Sequence, residues 1–371
     1  MTQMIEVPAP DGATAPPTVK VRGRWALSWH GVRTVAALEL RQRVRSTRWV
    51  VALVVWTVVV GAITLLLFGA TRRIFDFDDV TADRSQSGPL LFAAVTFLVL
   101  GLGLLVTPTL SSTSVNGDRN AGTLATLQVT LLTSAEIALG KLLAAWAAAC
   151  AFLVLSLPFL ALATGAGPTP WWSLLRVVAI IAVLLVAVCA IGLGMSALVS
   201  RSAGSTVLTF IVVAAVTFIA PLLFGLTYQS VSSYQEVRVY GMPSSWNGED
   251  EVQCVWTQEE RWVASTQSTW WLLAVNPFVI VADGAGTNAD DDGTDPLRGM
   301  RDVVREVRAG ASGQVDECWA DSSEFEAVRS EHAVWPWGLG FNVLLGAIGY
   351  VVAVRRLSIP QRTLPRGTRV A

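Results

Sequence analysis

Residues Trp172–Ser200 read WSLLRVVAIIAVLLVAVCAIGLGMSALVS, and apart from Arg176 near one end the stretch carries no charge. At 1.5 Å per residue, a helix of that length crosses the ~30 Å hydrocarbon core of a bilayer. Five more stretches have the same character: Trp49–Gly69, Leu90–Leu110, Lys141–Gly165, Thr206–Leu226 and Val334–Val354. Together they predict an all-α integral membrane protein with six transmembrane helices. Composition agrees, since the 371 residues are 53% hydrophobic and only 15% charged, with mean hydropathy +0.52. Those values argue against an ordinary soluble globular protein. Residues 1–28 are polar and rich in proline and alanine, unlike a signal peptide, so residues 1–27 are expected to form a disordered tail kept in the mature chain.

The 27 basic and 28 acidic residues leave a net charge of −1, which gives no sign of nucleic-acid binding. Their placement is more informative. Within residues 20–48, before the first span, Lys20, Arg22, Arg24, Arg33, Arg41, Arg43, Arg45 and Arg48 stand against Glu39 alone, and Arg355, Arg356, Arg362, Arg366 and Arg369 follow the last span with no acid. Basic residues beside spans mark the cytoplasmic side, so both termini are expected there. Segment 227–333 then faces outward, and its nineteen acids against seven basic residues make it strongly acidic. Cys254 and Cys318 both fall in that exoplasmic segment, where an oxidising compartment permits a disulfide. Their bonding to each other is expected, with two free thiols as the alternative; closing such a loop is worth about 4 kcal/mol in the chain-entropy model. Cys150 and Cys189 lie within spans and read as packing residues.

Ionisable groups at membrane depth mark ion-coupled carriers and pumps, and the span interiors hold none. Arg176 and Lys141 are placed near span ends, where they could snorkel. Asn342 is the clearest polar side chain inside a span, a helix–helix hydrogen bond or a substrate contact. No phosphate-loop sequence is present: Gly140-Lys141 is followed by Leu142 and lacks the preceding glycine. Catalysis in this chain is not expected, because His30 and His332 are its only histidines and fall on opposite sides of the membrane. No metal-ligating cluster is recognisable either. Any nucleotide that drives the protein must therefore be bound by another polypeptide.

Between the second and third spans runs NGDRNAGTLATLQVTLLTSAEIALGK, residues 116–141. This loop resembles that of the ABC-2 type transporter permeases, whose pattern is close to E-R-E-x-G-T-L-E-x-L-x-x-T-P-x-S-x-x-E-I-L-L-G-K and aligns without insertion. Departures fall at Asp118, Asn120, Ala125 and Leu131. Independently of the resemblance, Asp118-Arg119 offers both charge signs, Gly122 permits close approach of another backbone, and Thr133-Ser-Ala-Glu136 has capping-box spacing. A purely structural loop would account for the cap. Residues 33–43 look like the interfacial connecting helix of the same permeases. Val32, Val35, Ala36 and Leu40 share one arc opposite Arg41, Arg45 and Arg48, but Glu39 and Arg43 intrude on the apolar side, so a solvated basic helix is the alternative. Gly192-Leu-Gly194-Met-Ser196 also looks like the family, with small residues suited to close packing.

The resemblance implies six spans in the ABC-2 exporter arrangement, an N-terminal cytoplasmic interfacial helix and a small exoplasmic domain between helices 5 and 6. The divisions expected are a tail at 1–27, the interfacial helix and spans 1–5 at 28–226, the exoplasmic domain at 227–333, the last span at 334–354 and a cytoplasmic tail at 355–371. It further implies a permease subunit of an ATP-binding cassette exporter in a bacterial plasma membrane. A separate cytosolic ATPase would carry ATP and Mg, leaving no cofactor in this chain, and would dock on Asp118, Arg119, Gly122, Thr123 and Leu124, with Glu39 and Arg43 from the connecting helix. A second permease chain, identical or not, and membrane lipid are the other partners implied. Two alternative functions are an ATPase-driven complex that moves an outer partner without transport, and a membrane-anchored exoplasmic binding protein.

Within the exoplasmic segment, Trp246, Trp256, Trp262 and Trp319 supply apolar mass for a small cap. Trp270-Trp271-Leu-Leu-Ala-Val-Asn276-Pro277-Phe278-Val-Ile-Val is apolar but broken by Asn-Pro, and reads as an interfacial or re-entrant segment rather than a seventh span. Residues 288–295, NADDDGTD, resemble the opening of a calcium loop, yet position twelve is Gly299; a solvated acidic turn is the other reading. Arg298, Arg301, Arg305 and Arg308 recur at helical spacing and suggest a basic surface face.

Overall fold

The computed structural model describes residues 23–77, 87–122, 132–242, 254–287, 295–310, 313–318 and 332–358. Most of the two tails, the acidic turn at 288–294, Trp246, Trp319, Thr123 and Leu124 lie outside these. Helix α1 is Trp29–Val44 and α2 is Thr47–Phe77. They are followed by α3 (Ser87–Ser111), α4 (Ser114–Asn120), α5 (Ser134–Gly165) and α6 (Trp171–Leu198). Helix α7 (Ser202–Ala214) passes through a π turn at Ala215–Ile219 into α8 (Ala220–Tyr228). Among the described residues six helices are long and apolar enough to cross a membrane: Thr47–Thr71, Gly88–Asn120, Ser134–Gly165, Trp171–Leu198, Ser202–Val231 and Trp335–Leu357. They match the six expected from hydropathy.

Helix α6 is the centre of the bundle. About half of its apolar window is buried (56%), whereas the first and fifth spans bury 22% and lie at the periphery. The last span, α12 (Trp335–Leu357), packs along α6 at backbone distance. A Cβ on Gly194 would come within 2.6 Å of the Gly349 carbonyl oxygen, one on Gly349 within 2.5 Å of the Ala190 oxygen, and one on Gly346 within 2.9 Å of the Ala187 Cα. Lipid tails are as apolar as leucine, so helices in a membrane gain from close packing and polar contacts rather than from apolar burial alone. The small residues of 192–196 serve that purpose. Gly192 meets Ser111 at the end of α3, and Gly194 meets α12.

Polar side chains add directional ties. Trp146 Nε1 donates to the Ala182 carbonyl (2.9 Å), joining α5 to α6, and Trp56 Nε1 donates to Ser156 Oγ (3.0 Å), joining α2 to α5. Asn342 Nδ2 donates to the carbonyls of Val275 (3.0 Å) and Gly338 (2.9 Å), a buried contact that ties α12 to the segment around Val275.

Segment 270–284 forms two short helices, α9 (Trp271–Ala274) and α10 (Pro277–Gly284), and not a seventh span. Asn276 joins them to the bundle. Its Oδ1 accepts from Phe278 N (2.8 Å), capping α10, and its Nδ2 donates to the Thr217 carbonyl (2.8 Å) inside the π turn, where the usual helical ladder is interrupted. Asp283, near the end of α10, is buried. Its Oδ2 accepts from Val334 N (2.6 Å) and Trp335 N (2.7 Å) at the start of α12, where the unpaired amides and helix dipole favour an anion. Its Oδ1 accepts from Arg305 Nε (2.7 Å) of α11 (Pro296–Ala309). The arginines of α11 do not form the free basic surface expected. Arg305 is held by Asp283, and Arg308 donates to the carbonyls of His332 (3.2 Å) and Ala333 (2.9 Å) and lies over Trp270.

Beyond the fifth span, β1 (Ser232–Gly241) pairs antiparallel with β2 (Val255–Ala264) and parallel with the short β3 (Gln314–Asp316), in the order β2-β1-β3. The sheet is an addition to the helical fold expected. Its register places Gly241 opposite Val255 and Tyr240 opposite Asp316, so Cys254 and Cys318 emerge at the same end of the sheet. They form the expected disulfide, Cα–Cα 5.9 Å. Arg261 reaches Glu317 through Nε (2.7 Å) and Nη2 (3.0 Å), which holds the Glu317 carboxyl below the usual carboxylate range.

The packing of α6 on α12 generates a signed test. In an open helical position Gly→Ala stabilises by about 1 kcal/mol, whereas overpacking costs about 1–3 kcal/mol. Gly194→Ala is therefore expected to lower the melting temperature of the purified protein in detergent. Gly165→Ala, whose Cβ would meet nothing within 4 Å, is expected to leave it unchanged or raise it.

Candidate functional site

At the end of the bundle that carries α1 and the arginines, three separate segments meet the first two turns of α5. Thr133 and Glu136 form the expected capping box: Glu136 N donates to Thr133 Oγ1 (3.2 Å), and Thr133 N donates to Glu136 Oε2 (2.8 Å). The other carboxylate oxygen, Oε1, accepts from Ser28 N (2.7 Å) at the N-cap of α1. One buried carboxylate thus serves the N-termini of two helices, both of which favour negative charge. Thr133 Oγ1 donates onward to the Ala26 carbonyl (2.6 Å).

One turn further along α5, Gly140 lets α1 lie directly on the helix. A Cβ there would be 2.6 Å from Val35 Cβ and 3.0 Å from the Val32 carbonyl oxygen. Val32 and Val35 are accordingly buried, which places the apolar arc of α1 against α5 and excludes a solvated helix.

The next residue is Lys141. It does not snorkel as expected, because α5 begins at Ser134, seven residues before the expected span, and buries the ammonium two turns inside the helix. Its side chain is 0% exposed. Nζ pairs with Glu39 Oε1 of α1 and, at 2.5 Å, with Asp118 Oδ2 of α4. The two acids keep only 15% and 24% of their side-chain surface. Glu39, which intrudes on the apolar side of α1, does so to reach this cation. The other intruder, Arg43, donates from Nη2 to the Leu110 carbonyl (2.8 Å) at the C-terminal turn of α3, where a cation is favoured. Burial pulls its guanidinium below the usual range, opposed by the nearby Glu39.

Helix α4 is held from its other side by α6. Ser196 Oγ accepts from Val115 N (3.0 Å) and Asn116 N (3.1 Å), Asn116 Nδ2 donates to Ser205 Oγ (3.2 Å), and Ser205 Oγ donates to the Ser112 carbonyl (2.7 Å). The seven residues of α4 are thereby pinned to α5, α6 and α7, with one face left outward. Gly117, Asn120, Ala121 and Gly122 are exposed and Arg119 is half-buried. Gly122 has φ +70°, and nothing lies within 4 Å of where its Cβ would be. That combination ends the helix and leaves room for another backbone.

Of the residues selected from sequence, Asp118 and Glu39 come together on Lys141, Arg43 ties α1 to α3, and Arg119 and Gly122 lie at the outward edge. Lys141, Glu136, Gly140 and Ser196 were not selected. Lys141 and Glu136 were nevertheless visible as the charges nearest a long apolar run. Among the described residues no group of three or more His, Cys, Asp or Glu could hold a metal.

Removing one partner of a buried charge cluster costs about 3–5 kcal/mol because it leaves uncompensated charge. Lys141→Met is expected to destabilise the protein by that order, read as loss of thermal stability in detergent. The triple variant Glu39→Gln, Asp118→Asn, Lys141→Met should recover most of the loss. Equal loss in both would mean that uncompensated charge on Glu39 and Asp118 is not the source of the destabilisation.

Comparison with known proteins places this arrangement in context. The sequence model described as ABC-2 family transporter protein matches residues 33–239, more than half of the chain, from α1 into β1. No curated protein matches the chain. The matched interval includes most of α1, all of α4, Lys141 and five of the six apolar helices. The chain is therefore a multi-pass membrane protein that belongs to the ABC-2 family of transporter proteins, whose members are permease subunits of ABC transporters.

Proposed function

We propose that the chain is the membrane-spanning half of an exporter driven by a separate cytosolic ATPase, which docks on the outward edge of α4 and the adjoining surface of α1. The basic end of the bundle is then cytoplasmic, with α1 and the end of α12 on the same side. No catalytic step resides in this chain. A second permease chain completes the pathway and packs on exposed faces of the first and fifth spans, which bury little within one protomer. ATP and Mg belong to the partner.

The observation that carries this reading is Lys141. A docking element that stands free could be pushed without moving the membrane helices. Here a push on α4 reaches α5 through the Asp118–Lys141 pair, α1 through Lys141–Glu39, and α6 through the two amides held by Ser196. From α6 it passes to α12 along the Gly194–Gly349 contact. Movement of the ATPase is thus delivered to the centre of the bundle, as coupling to a transport pathway requires. Arg119 and Gly122 stand at the edge and supply recognition, whereas Asp118 and Glu39 supply transmission.

These roles separate by experiment. Arg119→Glu and Gly122→Trp are expected to lower the amount of ATPase that copurifies with the chain in mild detergent by on the order of tenfold, equivalent to about 1.4 kcal/mol, with the melting temperature unchanged in Arg119→Glu and lowered in Gly122→Trp, whose left-handed backbone strains any side chain. Lys141→Met should retain the ATPase but uncouple it, so that transported substrate per ATP falls. If no ATP-binding cassette protein accompanies the folded wild type, the reading is lost.

A further inference from the structure

A groove of about 810 Å3 runs between α2 and α3 at the basic end of the bundle. Its walls extend from Arg48 to Val59 on α2 and from Leu102 to Leu110 on α3, with Thr113 just before α4. The α2 wall covers eleven residue steps, about 16 Å, and the α3 wall eight, about 12 Å, so the groove spans roughly half the ~30 Å hydrocarbon core, about one leaflet. Its floor is aromatic and fixed. Phe152 meets Trp49 and Trp56 edge-on, with ring centroids at 5.2 and 5.0 Å, and Trp56 is anchored through its Nε1 to Ser156. A floor held this way cannot collapse to close the groove.

The mouth has the opposite character. Arg43 and Arg48 line it, and among the described residues no carboxylate does. Glu39, one turn before Arg43, is held by Lys141. Arg43 uses Nη2 on the Leu110 carbonyl and has further N–H donors. Arg48 is exposed. An apolar slot one leaflet deep, with two guanidiniums at the headgroup level, is complementary to one class of ligand.

We infer that this groove binds an anionic phospholipid of the leaflet at the basic end, with an acyl chain along the Trp49–Trp56–Phe152 floor and the phosphate between Arg43 and Arg48. The site does not depend on the ATPase, and its test does not use transport. An acyl chain supplies the apolar fill that a free phosphate lacks, and the phosphate supplies the charge that a neutral lipid lacks.

The test is native mass spectrometry of the full chain, purified with whatever partner accompanies it, after exchange into detergent containing equal phosphatidylglycerol and phosphatidylcholine. The wild type is expected to retain phosphatidylglycerol at least about fivefold over phosphatidylcholine, the effect of roughly one basic residue at a membrane surface. Arg48→Gln, an exposed position that leaves the packing intact, should lower the ratio by about fivefold relative to the wild type. Ala52→Trp, which fills the slot from an exposed position, should lower retention of both lipids. Excess inorganic phosphate should leave the bound lipid in place. Equal retention of the two lipids by the wild type, or displacement by phosphate, would overturn the assignment. So would an Ala52→Trp variant that keeps its lipid but loses a chain-to-chain contact, since the groove would then be filled by a second copy.

Discussion

A lysine ammonium taken from water into a helix bundle is costly unless opposite charge meets it there. At Lys141 two carboxylates from two other segments do so, and the geometry of the whole basic end follows. Glu39 can reach the lysine only if α1 lies flat on α5, and Gly140 and Gly31 make room for that approach. Asp118 can reach it only if the short helix after the second span folds back under α5, where Ser196 receives its first amides. Glu136 closes the same junction from the N-terminal side. A charge cluster of this kind adds little net stability compared with an apolar core, but it fixes one arrangement among many similar ways of packing apolar helices.

The opposite end is organised by the same logic with different groups. Asn276, Asp283 and Asn342 each use a short polar side chain to satisfy backbone groups that the fold would otherwise leave open. These are the interrupted ladder at Thr217, the first amides of α12 and the carbonyl of Val275. Between the two ends, helices α6 and α12 touch through glycines and alanines, a rigid pair that links both networks. The first and fifth spans bury the smallest share of their apolar windows, and their exposed apolar faces are the parts left for lipid or another chain.

Much of this was legible in the sequence because hydropathy, capping and charge asymmetry are local signals. The six spans, the Thr133–Glu136 capping box, the Cys254–Cys318 pair and the break at Asn276-Pro277 all follow from residues close together in the chain or sharing one compartment. The role of Lys141 was missed for a specific reason. Placing the third span from hydropathy alone starts it at the lysine, while the helix starts at its cap seven residues earlier, and a charge at a span edge becomes a charge inside a helix. Glu39 and Arg43 looked like flaws in an amphipathic pattern because their partners, Lys141 and Leu110, are distant in sequence. Asp283 and Arg305 escaped likewise, being 22 residues apart with an acidic stretch between them. Long-range polar pairs have no periodicity to reveal them.

The account rests on α1, α4 and the start of α5 moving as one body because Lys141 holds them. Spin labels at Arg41 of α1 and Asn120 of α4, both exposed, would report this directly by double electron–electron resonance in the complex with its ATPase, with and without nucleotide. A single narrow distance that nucleotide does not change, and that broadens in Lys141→Met, is the result predicted. A distance that is broad or shifts with nucleotide in the wild type, and is indifferent to Lys141, would contradict it.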